Sequence, residues 1–189
     1  MLEHRGYQIL RNVVPSEMTE AIYTEGLRLR TDWTRYSEWM GIPCASRFSY
    51  ILSKFYRSYM PQFARQFMED DIYYFNDQMV MKLPHDNLVF EPHYDNYYGP
   101  NRNGEIQTIN LSVILNDITD ECGGFRVRDN GKWKDLTLKR GDILAIDGNT
   151  MHMSGENKSS QPRGVYACVF TRKPLGMTDY WSDKVDYKS

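Results

Sequence analysis

The residues of greatest chemical interest are two histidines and one aspartate. His93 and Asp95 are separated by one residue in the segment EPHYDNYYG, and His152 follows 59 residues after His93 in GNTMHMSGEN. Two imidazoles and one carboxylate can bind one face of a transition metal and leave the opposite face open, as in non-haem Fe(II) centres. The pattern therefore predicts a metal centre formed by these three side chains.

The position of one arginine assigns it to the same predicted site. Arg163 follows His152 by 11 residues and precedes the apolar segment GVYACVF. A guanidinium is always charged and pairs with a carboxylate through two parallel hydrogen bonds. A strand could carry Arg163 to one end of a pocket whose other end is the metal. A dicarboxylate cosubstrate would then chelate the metal and pair with Arg163.

The elements that position these residues are predicted to be helices followed by strands. Helical spacing of apolar residues covers 16–30 and 46–69, with a break at Pro61. From residue 71 the pattern is typical of β-strands, and a strand or two are expected over 136–147. This order favours an α+β, mainly β fold with the helices on one outer face of a sandwich or barrel.

We expect one domain over residues 1–189. Its helical support is predicted over about 1–70 and its β-barrel core over about 71–175.

If the segment containing His93 and Asp95 is an extended strand, both side chains point to the same face.

Polar and apolar residues alternate in the predicted strand 106–115. Thr108, Asn110 and Ser112 share one face of it. This polar face either lines a wet pocket or faces solvent, because both surroundings give the same alternation. Gln78 and Lys82 likewise share one face of the first core strand.

Composition limits the partners and the compartment. The net charge is −2, with 23 Lys and Arg against 25 Asp and Glu and no run of like charges, which does not favour nucleic acid. Three scattered cysteines argue against a disulfide framework. Neither a leader peptide nor an apolar run long enough for a membrane span is recognised. The expected location is cytoplasmic.

Several segments together resemble the Fe(II)- and 2-oxoglutarate-dependent oxygenases, most closely the phytanoyl-CoA dioxygenase family and its ectoine-hydroxylase relatives. RGYQILRNVVPSEM resembles the opening strand and helix of that family, and PHYD resembles its His-x-Asp step. ECGGFRV resembles a glycine-containing turn after the third core strand. GDILAIDGNTMHMSGENKSSQPRG resembles the distal-histidine segment that ends in the cosubstrate arginine.

The resemblance implies a double-stranded β-helix, also described as a jelly-roll or cupin-like barrel, and it implies roles for particular residues. The implied Fe(II) ligands are His93, Asp95 and His152. The implied 2-oxoglutarate residues are Arg163 with Ser154 as its hydroxyl partner, and less directly Thr108 and Asn110. The candidates for substrate contact are Tyr97, Gln78 and Lys82.

The implied activity is that of a dioxygenase that uses O₂, releases succinate and CO₂, and hydroxylates a small molecule, with ascorbate as reductant in vitro. Related halogenases have a small residue where Asp95 stands, so its presence favours hydroxylation. The chain lacks most of the insertion that many relatives place after GGFRV, so their substrates do not carry over. No nucleic-acid or membrane partner is expected, and the oligomeric state is open.

Three alternatives remain at this point. A short prolyl-hydroxylase-like oxygenase would act on a peptide or protein, although that group tends to have lysine where Arg163 stands. A catalytically silent barrel would bind a metal or a small acid. A cupin-type metalloenzyme without 2-oxoglutarate would leave Arg163 without a role.

Overall fold

The computed structural model describes residue 2 and residues 6–34, 41–68, 71–97 and 104–175. Within these ranges three α-helices and ten strands follow one another along the chain. They are β1 (Tyr7–Leu10), α1 (Ser16–Trp33), β2 (Gly41–Pro43), α2 (Tyr50–Lys54), α3 (Pro61–Ala64), β3 (Tyr73–Lys82), β4 (Phe90–His93), β5 (Thr108–Ile114), β6 (Arg126–Asp129), β7 (Lys132–Asp135), β8 (Ile143–Asp147), β9 (His152–Ser154) and β10 (Arg163–Thr171).

The strands form two antiparallel sheets. The large sheet has the order β1-β8-β5-β10-β3-β2, and the small sheet has the order β4-β9-β6-β7. Side chains from both sheets share a buried apolar cluster, which includes Val80, Ile114 and Val165 of the large sheet and Val127 of the small one. The two sheets therefore pack face to face, and the predicted double-stranded β-helix is confirmed.

The helices cover the outer face of the large sheet. Ile22 of α1 and Leu52 of α2 belong to the same buried cluster as Leu111 and Val113 of β5. These two β5 residues lie on the apolar face that the alternation predicted, because successive strand residues point to opposite sides. The expected helical layer on one sheet is thus present.

The helical segment after residue 46 is interrupted, as predicted. A π-helical turn, Phe55–Tyr59, follows α2 directly, and Pro61 is the first residue of α3. Proline is tolerated at that position, because the first turn of a helix leaves its N–H groups unpaired in any case. Among the described helices, none combines the length and apolar character needed to cross a bilayer.

The strand boundaries differ from expectation in two places. Strand β7 has the sequence KWKD and lies on an edge of the small sheet, while 136–142 connects it to β8. All four β7 residues are exposed, so the strand carries no alternation that the sequence could display. The N-terminal part contributes the predicted opening strand β1 to the large sheet, and it also contributes β2, which was not predicted.

Candidate active site

The two histidines of the predicted centre meet because β4 pairs with β9. His93 ends β4 and lies opposite His152, the first residue of β9, with ring centroids 4.2 Å apart. Asp95 opens a short 3₁₀ turn, Asp95–Tyr97. Its Oδ1 lies 3.7 Å from Nε2 of each histidine, and the three ligand atoms lie within 4.8 Å of one another. They can therefore hold one metal ion.

The prediction that His93 and Asp95 share the face of one strand was wrong. Strand β4 ends at His93, and the backbone then turns, which brings the Asp95 carboxylate back beside the imidazoles. The ligand atoms of the two residues nevertheless converge on one point.

Both imidazoles are oriented by backbone carbonyls. Nδ1 of His93 lies 2.7 Å from the Glu91 carbonyl oxygen, and Nδ1 of His152 lies 3.0 Å from that of Thr150. A carbonyl only accepts, so each Nδ1 carries the proton and each Nε2 presents its lone pair to the centre. Burial, and then the neighbouring His152, lower the pKa of His93. The neutral form that binds metal is thereby favoured.

The turn that carries Asp95 docks on Gly148. The backbone N–H of Asn96 donates to the Gly148 carbonyl at 3.0 Å, and Thr108 Oγ1 donates to Asn96 Oδ1 at 2.5 Å. A Cβ on Gly148 would collide with both of those side chains. Residue 148 must therefore be glycine for the turn to approach so closely.

The opposite end of the site holds two buried cations. Arg163 of β10 and Lys82 of β3 are directly paired in register, and their exposures are 1% and 0%. Arg163 Nε has no hydrogen-bond partner, and Nη2 makes one long contact of 3.4 Å with the Gly124 carbonyl. Within the described ranges, no carboxylate forms an ion pair with either cation. A buried guanidinium with so few partners could pair with an anion.

The loop in front of Arg163 is fixed by glycine. Gly123 has φ of +96°, and its carbonyl accepts from the Gly155 N–H at 2.6 Å. A Cβ on Gly123 would collide with the Gly155 carbonyl, so no other residue allows this contact. The contact places the Gly124 carbonyl against Arg163.

Burial strongly affects both cations. Desolvation lowers the pKa of Arg163 to about 10, so its guanidinium stays charged at neutral pH. Desolvation, followed by repulsion from Arg163, lowers the pKa of Lys82 to about 7. Lys82 Nζ donates to Ser154 Oγ at 3.0 Å and to the carbonyls of Ser154 and Gly155. Because the Ser154 oxygen accepts from Lys82, its own proton is free to donate to an anion.

A cavity of about 60 Å³ joins the two ends of the site. The metal triad, Ser154 and Arg163 all line it. Phe125 lies between the ends: its ring stacks on His152 with centroids 5.8 Å apart, and the Arg163 guanidinium lies 5.9 Å from its centroid. One aromatic side chain therefore packs against both functional groups.

The structure distributes the other predicted site residues unevenly. Gln78 and Asn110 line the cavity, and Asn110 Nδ2 donates to Asp95 Oδ2 at 2.8 Å. Thr108 is directed to Asn96 and Lys82 to Ser154, and neither is a lining residue. The prediction for the Tyr97 side chain lies outside the described residues. The polar face of β5 is buried, so it does not face solvent.

Phe125 and Asn96 were not singled out in the sequence. The alternation of FRVRD could have placed Phe125 with Val127 on one face, and both are buried. No sequence signal marks Asn96, because its role depends on the contact of its turn with Gly148 and Thr108.

Family and fold comparisons agree with this geometry. The model of the phytanoyl-CoA dioxygenase (PhyH) family matches residues 127–165. That segment contains His152, Ser154 and Arg163, so the resemblance is confirmed for the part of the chain that carries the distal histidine and the arginine. No curated protein matches the chain at a significant level.

Three solved structures illustrate the likeness in fold. The epimerase SnoN in complex with Fe³⁺, α-ketoglutarate and nogalamycin RO has 14% identity and a TM-score of 0.76, covering 90% of this chain and 80% of its own. EctD from S. alaskensis with 2-oxoglutarate and 5-hydroxyectoine has 17% identity and a TM-score of 0.76, covering 94% and 78%. AviO1 from Streptomyces viridochromogenes Tue57 has 16% identity and a TM-score of 0.77, covering 92% of each chain.

Proposed function

We propose that the protein is an Fe(II)- and 2-oxoglutarate-dependent dioxygenase that hydroxylates a small molecule. The observation that carries the proposal is the charged, buried and incompletely bonded Arg163 on the same cavity as the His93, Asp95 and His152 triad. Neither the arginine nor the triad alone indicates this cosubstrate. A dicarboxylate that chelates a metal at one end needs both a metal centre and a cation at the other end.

The donor set fits Fe(II). His93, Asp95 and His152 would hold the ion from one side and leave three positions for other ligands. When bound, iron and 2-oxoglutarate supply the oxidising chemistry: O₂ gives succinate and CO₂ from 2-oxoglutarate, and one oxygen atom enters a substrate C–H bond. The SnoN and EctD structures named above contain the same cosubstrate.

The side chains of this protein bind and orient the cosubstrate. Arg163 would pair with its distal carboxylate, and the Ser154 hydroxyl would donate to the same group, since Lys82 occupies the Ser154 oxygen. Gln78, on the interior face of β3, lines the cavity and is available to contact substrate. Thr108 and Lys82 support other side chains in this arrangement.

The proposal can be tested with purified protein and its two predicted ligands. Under anaerobic conditions, Fe(II) and 2-oxoglutarate together should give a weak visible charge-transfer band that neither gives alone. With O₂ and ascorbate, labelled 2-oxoglutarate should yield succinate and CO₂. Retention of metal without the band or turnover would indicate a silent binding barrel instead.

A matched pair of variants shows whether the predicted centre is responsible. His93→Asn should abolish the band and the turnover, because the two remaining ligands, Asp95 and His152, do not hold the metal firmly. His85→Asn is the control, since His85 is exposed in a turn with φ of +59°, a conformation that asparagine tolerates. Equal activity in the two variants would contradict the assignment.

A further inference from the structure

The two oxygens of Asp95 have different surroundings. Oδ1 faces the metal position, 3.7 Å from Nε2 of both His93 and His152. Oδ2 faces away and accepts a hydrogen bond of 2.8 Å from Asn110 Nδ2. The carboxylate is therefore held in one rotation, with a single oxygen directed to the metal.

The amide that holds Oδ2 is itself fixed. Asn110 is 8% exposed and lies on β5, and Ser112 Oγ, two residues along the same face, donates to its Oδ1 at 3.0 Å. The opposite amide orientation would place Oδ1 against a carboxylate oxygen, and neither atom can donate. The NH₂ group of Asn110 must therefore face Asp95, since only this orientation gives a donor and an acceptor.

The backbone that carries Asp95 does not depend on Asn110. Asn96, the next residue, is bonded to Thr108 Oγ1 through its side chain and to the Gly148 carbonyl through its N–H. Loss of the Asn110 amide would leave the turn in place and free only the rotation of the carboxylate.

We infer that Asn110 is a positioning residue that keeps Asp95 a one-oxygen metal ligand. A carboxylate that turned both oxygens to the ion would occupy one of the three positions that cosubstrate and O₂ require. This consequence for the cosubstrate rests on the proposed function, whereas the effect on metal binding does not. Asn110 therefore acts through Asp95, not as the cosubstrate contact that the resemblance implied.

Metal affinity measures this role without any cosubstrate. Asn110→Leu removes the donor and preserves the approximate volume, so Co(II) should bind about 10- to 100-fold more weakly, as is typical when an outer partner of a ligand is lost. The visible ligand-field spectrum of bound Co(II) should also change, which a general loss of packing would not cause. Ser112→Ala should give a smaller change in the same direction, because Asn110 would lose its anchor but keep its amide.

Asn76→Leu is the matched control. Asn76 lies in the same cross-strand row as Asn110, with Val169 of β10 between them, and its side-chain oxygen has no hydrogen-bond partner in the described part of the chain. This variant should bind Co(II) as the unmodified protein does. Wild-type affinity and spectrum in Asn110→Leu, or equal weakening in both variants, would overturn the inference.

The outcome is separable from that of the proposed function. If Asn110→Leu alone weakens Co(II) binding while the unmodified protein fails to bind 2-oxoglutarate, the positioning role stands and the dioxygenase proposal fails. If 2-oxoglutarate binds and turns over normally but Asn110→Leu does not change Co(II) binding, the positioning role fails and the dioxygenase proposal stands.

Discussion

The two faces of the large sheet each bury charged side chains, but they surround them differently. On the outer face, Asp77 is 0% exposed and accepts from the Ser46 N–H at 2.7 Å, the Ser46 hydroxyl at 2.6 Å and the Tyr166 hydroxyl at 2.8 Å. On the inner face, Arg163 makes one long contact with the Gly124 carbonyl, and its Nε has no partner.

The difference distinguishes a buried charged group that stabilises the fold from one that is available to bind a ligand. A buried charge with a full set of partners stabilises one arrangement of the helices on the sheet, because removing a partner would leave unpaired donors. A buried charge without such partners costs free energy that folding alone does not return. On the proposed function, the distal carboxylate of the cosubstrate would supply the partner that Arg163 lacks.

The largest expected effect concerns the inner face. Arg163→Met should weaken 2-oxoglutarate binding by about 100-fold or more, or about 3 kcal/mol, because the distal carboxylate loses its charged partner. The free energy of unfolding of the ligand-free variant should be unchanged or higher, since an uncompensated cation has been removed. Calorimetric titration and urea unfolding measure the two quantities. Destabilisation with normal affinity would make Arg163 a structural residue.

The converse effect is expected on the outer face. Asp77→Ala should lower the free energy of unfolding by about 2 kcal/mol. The two Ser46 donors would be left buried and unpaired, and the Tyr166 hydroxyl would keep only its 3.5 Å contact with the Leu52 carbonyl. The affinity for 2-oxoglutarate should remain that of the unmodified protein. Tyr166→Phe, which removes one donor and leaves Asp77 its two Ser46 bonds, is the milder control. A larger loss of affinity than of stability in Asp77→Ala would erase the contrast between the faces.

A smaller effect is expected from pH. Burial lowers the pKa of Lys82 to about 7, so above that pH the amine is largely neutral in the free protein. An anion beside Arg163 favours the protonated amine, so binding takes up a proton and affinity falls as pH rises. We expect roughly a tenfold loss between pH 7 and 9, which is within the limit for one proton over two pH units.

Titration of 2-oxoglutarate affinity against pH checks this expectation. Lys82→Met should remove the slope and leave a lower, flat affinity. A slope that persists in Lys82→Met would assign the proton to another group and would leave Arg163 as the only cation that senses the ligand.

Much of the fold could be predicted because the local periodicity of apolar residues indicates its helices and strands. The alternation of β5 predicted that Leu111 and Val113 face the helices, as the structure confirms. It left Asn110 and Ser112 facing either a pocket or solvent, and the structure buries both. Strand β7 could not be found, because an exposed edge strand carries no apolar alternation. The rotation of the chain after His93 was also missed, since a three-residue turn leaves no periodic signal.

For the candidate site, the sequence by itself determined the types of ligand and their order: two imidazoles, a carboxylate and a distant guanidinium. Residue types alone limit the chemistry, because few other sets bind both a metal and a dicarboxylate. Only the tertiary structure decided which side chains support them. Asn110 reaches Asp95, Lys82 reaches Ser154 and Phe125 lies between His152 and Arg163 across elements far apart in the chain. Such contacts depend on sheet register and on the packing of one sheet against the other, which no local pattern encodes.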